Sequence, residues 1–145
     1  MTTTPVALPT DLAPRLRAAV TRLNRRLRST SLGEVSPGQA SALAMIARLG
    51  SPALHELAAA EQVRPPSMTR LVDALENDGL VERRVDAVDR RCQRISLTPA
   101  GRKALASIRG RKTAFLESRL SRLSDEDRDA IGLALSILER LAEDE

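Results

Sequence analysis

Five arginines fall between positions 83 and 94: Arg83, Arg84, Arg90, Arg91 and Arg94. A guanidinium is permanently charged and presents a planar fork of donors that grips phosphate or guanine bidentately. In the run Asp89-Arg90-Arg91 the carboxylate can orient one guanidinium while the other reaches out. A narrow minor groove concentrates negative potential and attracts inserted arginine. Just upstream, Pro66, Arg70, Asp73 and Asn77 recur at three- and four-residue steps, flanked by Ser67 and Thr69. Met68, Leu71, Val72 and Leu75 fall on the other side. The apolar side can lock such a helix onto its domain, leaving the polar side free to enter a major groove. Ser67, Thr69 and Arg70 stand in the first turns, where base-edge contacts concentrate. A helix N-terminus also favours a phosphate. Taken singly, an ordinary surface helix and a solvated charged hairpin would explain the same residues.

Other chemistry has less support. His55 is the only histidine and Cys92 the only cysteine, so neither a metal site nor an internal disulfide is expected. Cys92 reads as a small half-buried thiol rather than a redox switch. No pair of acids has catalytic spacing, and no phosphate-binding glycine loop or Gly-x-Ser-x-Gly turn occurs. An enzyme is not expected, nor a cofactor.

The elements that would position these residues are mainly helical. Leu12, Leu16, Ala19, Val20, Leu23 and Leu27 predict an amphipathic helix over about residues 10–30. After a break at 31–34, Ser36-Pro37-Gly38-Gln39 reads as a capping box opening a second helix that stops at Gly50. Ser51-Pro52 is read as opening a short third helix to about Glu61. Pro65-Pro66 opens a fourth, ending at Gly79. Val81, Val85, Ile95 and Leu97 alternate with polar residues, which predicts a hairpin about an Asp86–Arg91 turn. Thr98-Pro99 opens a fifth helix to about Leu123, and Ser124-Asp125-Glu126-Asp127 a sixth with the apolar stripe Ile131, Leu135, Leu138 and Leu141. The short, adjacent third and fourth helices have the form of a helix-turn-helix.

Composition agrees with a globular nucleic-acid binder. The 145 residues are 42% hydrophobic and 29% charged, within globular limits. Residues 64–112 carry a net charge of +6 and residues 113–145 carry −5, so a basic middle is joined to an acidic end. Of the 23 basic residues 21 are arginine, and Phe115 is the only aromatic. Single-strand binders stack bases on aromatic rings, so duplex DNA is the favoured polyanion. No apolar run approaches the ~20 residues that span a bilayer, so no membrane association is expected. The start Met1-Thr2-Thr3-Thr4-Pro5 lacks a secretory pattern, which makes the cytoplasm the expected location.

Several stretches together resemble the MarR family of regulators. They are Leu57-Ala58, Pro65 through Glu76, Gly79-Leu80-Val81-Glu82-Arg83, Asp86-Ala87-Val88-Asp89-Arg90-Arg91, and Ile95 through Gly101. The resemblance implies a winged helix-turn-helix with a small antiparallel hairpin wing and N- and C-terminal dimerisation helices. The implied organisation is a flexible arm at 1–9, dimerisation helices at 10–33 and 98–145, and a DNA-binding region at 34–97. It implies DNA contacts from Arg64, Pro66, Ser67, Thr69 and Arg70 on the recognition helix. From the wing it implies Arg83, Arg84, Asp89, Arg90 and Arg91, with Arg90 at the tip and Asp89 paired to Arg91. A homodimer through Leu12, Leu16, Leu23, Leu135, Leu138 and Leu141 is expected, acting as a repressor on a pseudo-palindromic operator. A small-molecule effector is implied too; any pocket for it would be aliphatic with arginine at its edge. The alternative is an architectural DNA binder with little sequence preference. Three positions depart from the family pattern: Gln62 where the turn often has glycine, Arg64 where a Ser or Thr cap is common, and Val88 where the wing is often polar.

Overall fold

The structure, a computed structural model, describes residues 10–30, 33 and 35–143. The expected arm at 1–9 and most of the expected break at 31–34 lie outside the described residues.

Local signals start and stop most helices. Ser36 caps the second helix, α2 (Pro37–Leu49): Gln39 N–H donates to Ser36 Oγ over 3.2 Å, and Ser36 N–H donates to Gln39 Oε1 over 2.7 Å. Gly50, at φ 66°, ends it in the left-handed conformation that glycine tolerates best. Helix α1 (Leu12–Thr30) precedes it and packs on α5 (Pro99–Leu120). Thr98 Oγ1 accepts from Gly101 N–H over 3.0 Å at the start of α5, and Ser124 Oγ accepts from Asp127 N–H over 3.1 Å at the start of α6 (Asp125–Ala142).

The third helix differs from its expected start. Ser51-Pro52 does not open it; α3 runs Leu54–Ala60. The Pro52 carbonyl instead accepts from Ile95 N–H over 2.9 Å, and Ala53 bridges antiparallel to Arg94. A Ser-Pro pair marks a helix start only where nearby strands do not claim its carbonyl. The recognition-type helix α4 spans Pro65–Asn77. Strands β1 (Val81–Val85) and β2 (Gln93–Leu97) pair antiparallel, Val81 opposite Leu97 and Val85 opposite Gln93.

The core lies among α2, α3, α4, the hairpin and the first half of α5. Leu43, Ile46, Leu57, Met68, Val72, Leu75 and Ile95 are essentially inaccessible, with Leu105 and Ile108 of α5 beside them. Met68, Val72 and Leu75 are the expected inner stripe of α4; Leu71 is half-buried. One close approach joins the hairpin to α5. Leu80 O accepts from Thr98 N–H over 3.1 Å, and a Cβ added at Gly101 would sit 1.9 Å from that same oxygen. Only glycine fits there.

Helices α1 and α6 bury no residue within the chain, and α6 packs closely against no other element. Leu12, Leu16, Leu23, Leu135, Leu138 and Leu141 are all exposed. So are Leu133 and Ile137, which widen the apolar surface of α6 beyond the stripe read from the sequence, Ile137 lying one turn from Leu141.

Candidate nucleic-acid interface

The outer surface of α4 begins with two prolines, whose rings pre-set the helical φ and carry no N–H. Ser67 N–H and Met68 N–H both donate to Arg64 O over 3.0 Å. No amide N–H is therefore left free at 65–68. The helix dipole still favours an anion here, and the exposed side chains of Arg64 and Arg70 stand beside it. Pro66, Ser67 and Arg70 are exposed, while Thr69 is half-buried with its Oγ1 donating to Pro65 O over 2.9 Å. Gln62, in the turn before α4, takes φ 53°. The backbone is therefore left-handed where the resemblance leads one to look for glycine.

The arginines divide into held and free. Arg83 donates to Asp73 Oδ1 over 2.5 Å and to Glu76 Oε2 over 2.7 Å, so its fork is engaged by two carboxylates of α4. Arg83 thus clamps β1 to α4, and Asp73 of the outer polar side is its partner. Arg94 is held likewise: its Nε donates to Asp86 Oδ2 over 2.5 Å and its Nη1 to Glu56 Oε2 over 2.9 Å. Glu56 also accepts from Ala53 N–H over 2.7 Å, and the Ala53 amide and Arg94 hold its carboxyl below the usual range. Arg84 pairs with Glu82 over 2.7 Å but stays largely exposed. Among the described residues, Arg64, Arg70 and Arg90 have no hydrogen-bond or ion-pair partner and are exposed.

The hairpin tip is built on two aspartates. Asp86 Oδ1 accepts from Val88 N–H over 2.7 Å and Asp89 N–H over 3.0 Å. These bonds and the Arg94 guanidinium hold its carboxyl down at about 2. Asp89 Oδ1 accepts from Arg91 N–H over 3.0 Å and Arg91 Nε over 3.2 Å, and this holds its carboxyl low as well. The Asp89–Arg91 pairing implied by the resemblance is present, and it leaves Arg90 free between them. Cys92 Sγ lies 3.7 Å from Asp89 Oδ2. Desolvation and that carboxylate push its thiol pKa up, which disfavours the reactive thiolate.

The sequence reading overlooked the long-range parts of this arrangement. Glu56 and Arg94 are 38 residues apart and join α3 to β2. No local spacing pairs them.

Two clefts flank α5. One, of about 530 Å³, is lined by Val35, Leu80, Ile108 and Arg111. The other, of about 460 Å³, is lined by Ile46, Leu97, Leu105, Arg102 and Arg109. Polar residues line them too, Asp78 and Ser107 in the first and Ser51 and Ser96 in the second.

Comparison with known proteins agrees with this geometry. The MarR family model matches residues 35–93, which run from the start of the buried core through the hairpin tip. An uncharacterized HTH-type transcriptional regulator of Mycobacterium bovis, Mb0904, is 34% identical over 134 residues, covering 92% of this chain and 94% of its own. The HTH-type transcriptional repressor MdtR of Bacillus subtilis is 29% identical, covering 83% of this chain and 78% of its own. The crystal structure of a protein from Pseudomonas aeruginosa PA01 superposes with a TM-score of 0.84 at 34% identity, covering 97% of this chain and all of that one.

Proposed function

The chain belongs to the MarR family of DNA-binding transcriptional regulators, and we propose that it is a dimeric repressor of a pseudo-palindromic operator. The observation that carries this is the division of the arginines. Arg64 and Arg70 stand unpaired and exposed on the recognition helix, and Arg90 on the tip of a wing that Asp86, Asp89, Arg91 and Arg94 hold in shape. In this reading α4 enters the major groove, Arg70 and Ser67 face base edges, and Arg90 enters the flanking minor groove. Arg64, Arg84 and Arg91 contact phosphate. Pro66 shapes the helix start, Thr69 packs beside the bases, and Asp89 acts by aiming Arg91. Arg83 orients the wing against α4.

The second protomer covers α1 and α6, whose leucines stay exposed and neither of which has a buried residue among the described residues. Repression is supported by the likeness to MdtR, a repressor. A small, largely apolar effector with an acceptor for Arg111 and a donor for Asp78 would suit the cleft between Leu80 and Ile108, and would release DNA by shifting α5. The test is selection of bound fragments from genomic DNA, followed by titration of the selected site against random duplex. A regulator prefers its site by at least ~10³-fold. Equal affinity for both duplexes would make the protein an architectural binder instead.

A further inference from the structure

The tip of the wing ends in an apolar side chain that packs on nothing. Val88 is 96% exposed, the most open of the exposed large hydrophobic residues. Its backbone is nonetheless held tightly. Asp86 Oδ1 accepts from its N–H over 2.7 Å, Asp86 N–H donates to Cys92 O over 2.9 Å, and Cys92 N–H donates to Asp89 O over 2.9 Å. A residue so placed adds nothing to the core, yet the turn presents it in one fixed position. Presentation of an ordered apolar group costs little further entropy when a surface closes over it.

We propose that Val88 is a specificity-determining contact that favours A·T over G·C base pairs beside the wing, by sensing the guanine 2-amino group on the minor-groove floor. The inference rests on the reading of the wing as a DNA contact. The two kinds of base pair differ in the minor groove chiefly by that amine, a donor that A·T pairs lack. An isopropyl group over an A·T pair covers sugar and adenine C–H groups. Over a G·C pair it buries a donor and offers it no acceptor, which is unfavourable. The neighbouring side chains add little. Arginine side chains are donors only. Both Asp86 oxygens are engaged by Val88 N–H, Asp89 N–H and Arg94. Both Asp89 oxygens are engaged by Arg91 and Cys92. The tip is thus cationic enough to enter the groove, and the side chain it presents furthest out has no acceptor to offer an amine beneath it.

The test is equilibrium binding of the full chain to its selected operator with the wing-facing base pairs replaced in turn. The four replacements are A·T, G·C, inosine·C, which lacks the amine, and diaminopurine·T, which adds it. Wild type should bind the A·T and inosine duplexes alike and the two amine-bearing duplexes about tenfold more weakly. In Val88→Thr, which keeps the shape and adds an acceptor, the difference should fall to about twofold or less with the salt dependence unchanged. Val88→Ser should fall in the same way. Discrimination that persists undiminished in both variants, or that ignores the amine in wild type, overturns the inference while leaving the operator reading intact. A wild-type protein that selects no operator overturns that parent reading and the inference with it.

Discussion

Asp73 on α4 and Arg83 on β1 meet across 2.5 Å, ten residues apart in the chain, and so fix the recognition helix to the wing. Arg83 also holds Glu76, and only 21% of its side chain is exposed. A pair of this kind, in a network and partly shielded, contributes about 1 kcal/mol. Asp73→Ala and Arg83→Ala should each lower the urea midpoint, and a double-mutant cycle should return a coupling of about that size. Additive losses would mean the clamp is only a contact of convenience.

Arg70 and Arg90 should fail differently when removed. Arg70→Ala should relax base preference at one position of each half-site, since a bidentate Arg–guanine contact discriminates by ~1–3 kcal/mol. Arg90→Ala should weaken binding evenly across sequences and lower the slope of log affinity against log salt by about one. The half-sites should lie ~10 base pairs apart. A randomised operator library titrated at several salt concentrations reads all three. Unchanged preference for Arg70→Ala together with full affinity for Arg90→Ala would place the DNA face elsewhere.

Charge placed at Leu135 and Leu138 should produce monomers with sharply weakened operator binding, because these apolar side chains are left 51% and 41% exposed by their own chain. Sedimentation velocity is the measurement. A wild type that sediments as a monomer at micromolar concentration would sink the dimer.

The wing tip should be indifferent to pH until strong acid. Asp86 titrates at about 2 in the folded chain against an ordinary 3.8. A depressed carboxyl stabilises fully above its ordinary value, and that contribution is lost as pH falls through the window from about 4 to about 2. Hydrogen-exchange protection of the Val88 and Asp89 amides should therefore be level from neutrality to about pH 4 and then decline. Asp86→Asn should lack that protection already at neutral pH. Decline beginning near pH 6 would mean another group holds the tip.

Cys92→Ser should leave operator affinity within about threefold and peroxide response unchanged, because a thiol whose pKa is raised by burial and by Asp89 is a poor nucleophile. Peroxide-triggered release that disappears in the variant would restore a redox role.

What was legible in the sequence was what is decided within a few residues. Ser36 with Gln39, Thr98 with Gly101 and Ser124 with Asp127 cap helices over a span of three positions, so their helix starts could be read directly. The inner stripe of α4 was legible because burial follows the helical period. Pro52 was misread because its carbonyl belongs to Ile95, 43 positions away. Arg83 and Arg90 look alike in a string of letters. What distinguishes them is whether carboxylates from another element arrive, and that is a property of the packing. Leu133 and Ile137 were passed over because one stripe already accounted for an amphipathic helix.

The contact between Gly101 and Leu80 has a mechanical consequence. Helix α5 is 22 residues long, about 33 Å at 1.5 Å per residue. Its first turn bears on the Leu80 carbonyl with no side chain between to absorb strain. A lever seated on so hard a fulcrum converts displacement at its far end into rotation at its root. One ångström of travel near Leu120 tilts α5 by about 2°, and strand β1, whose entry carries that carbonyl, must turn with it. The wing is thereby geared to the helices at the opposite end of the molecule, and the absence of a single methyl group keeps the gearing free of play.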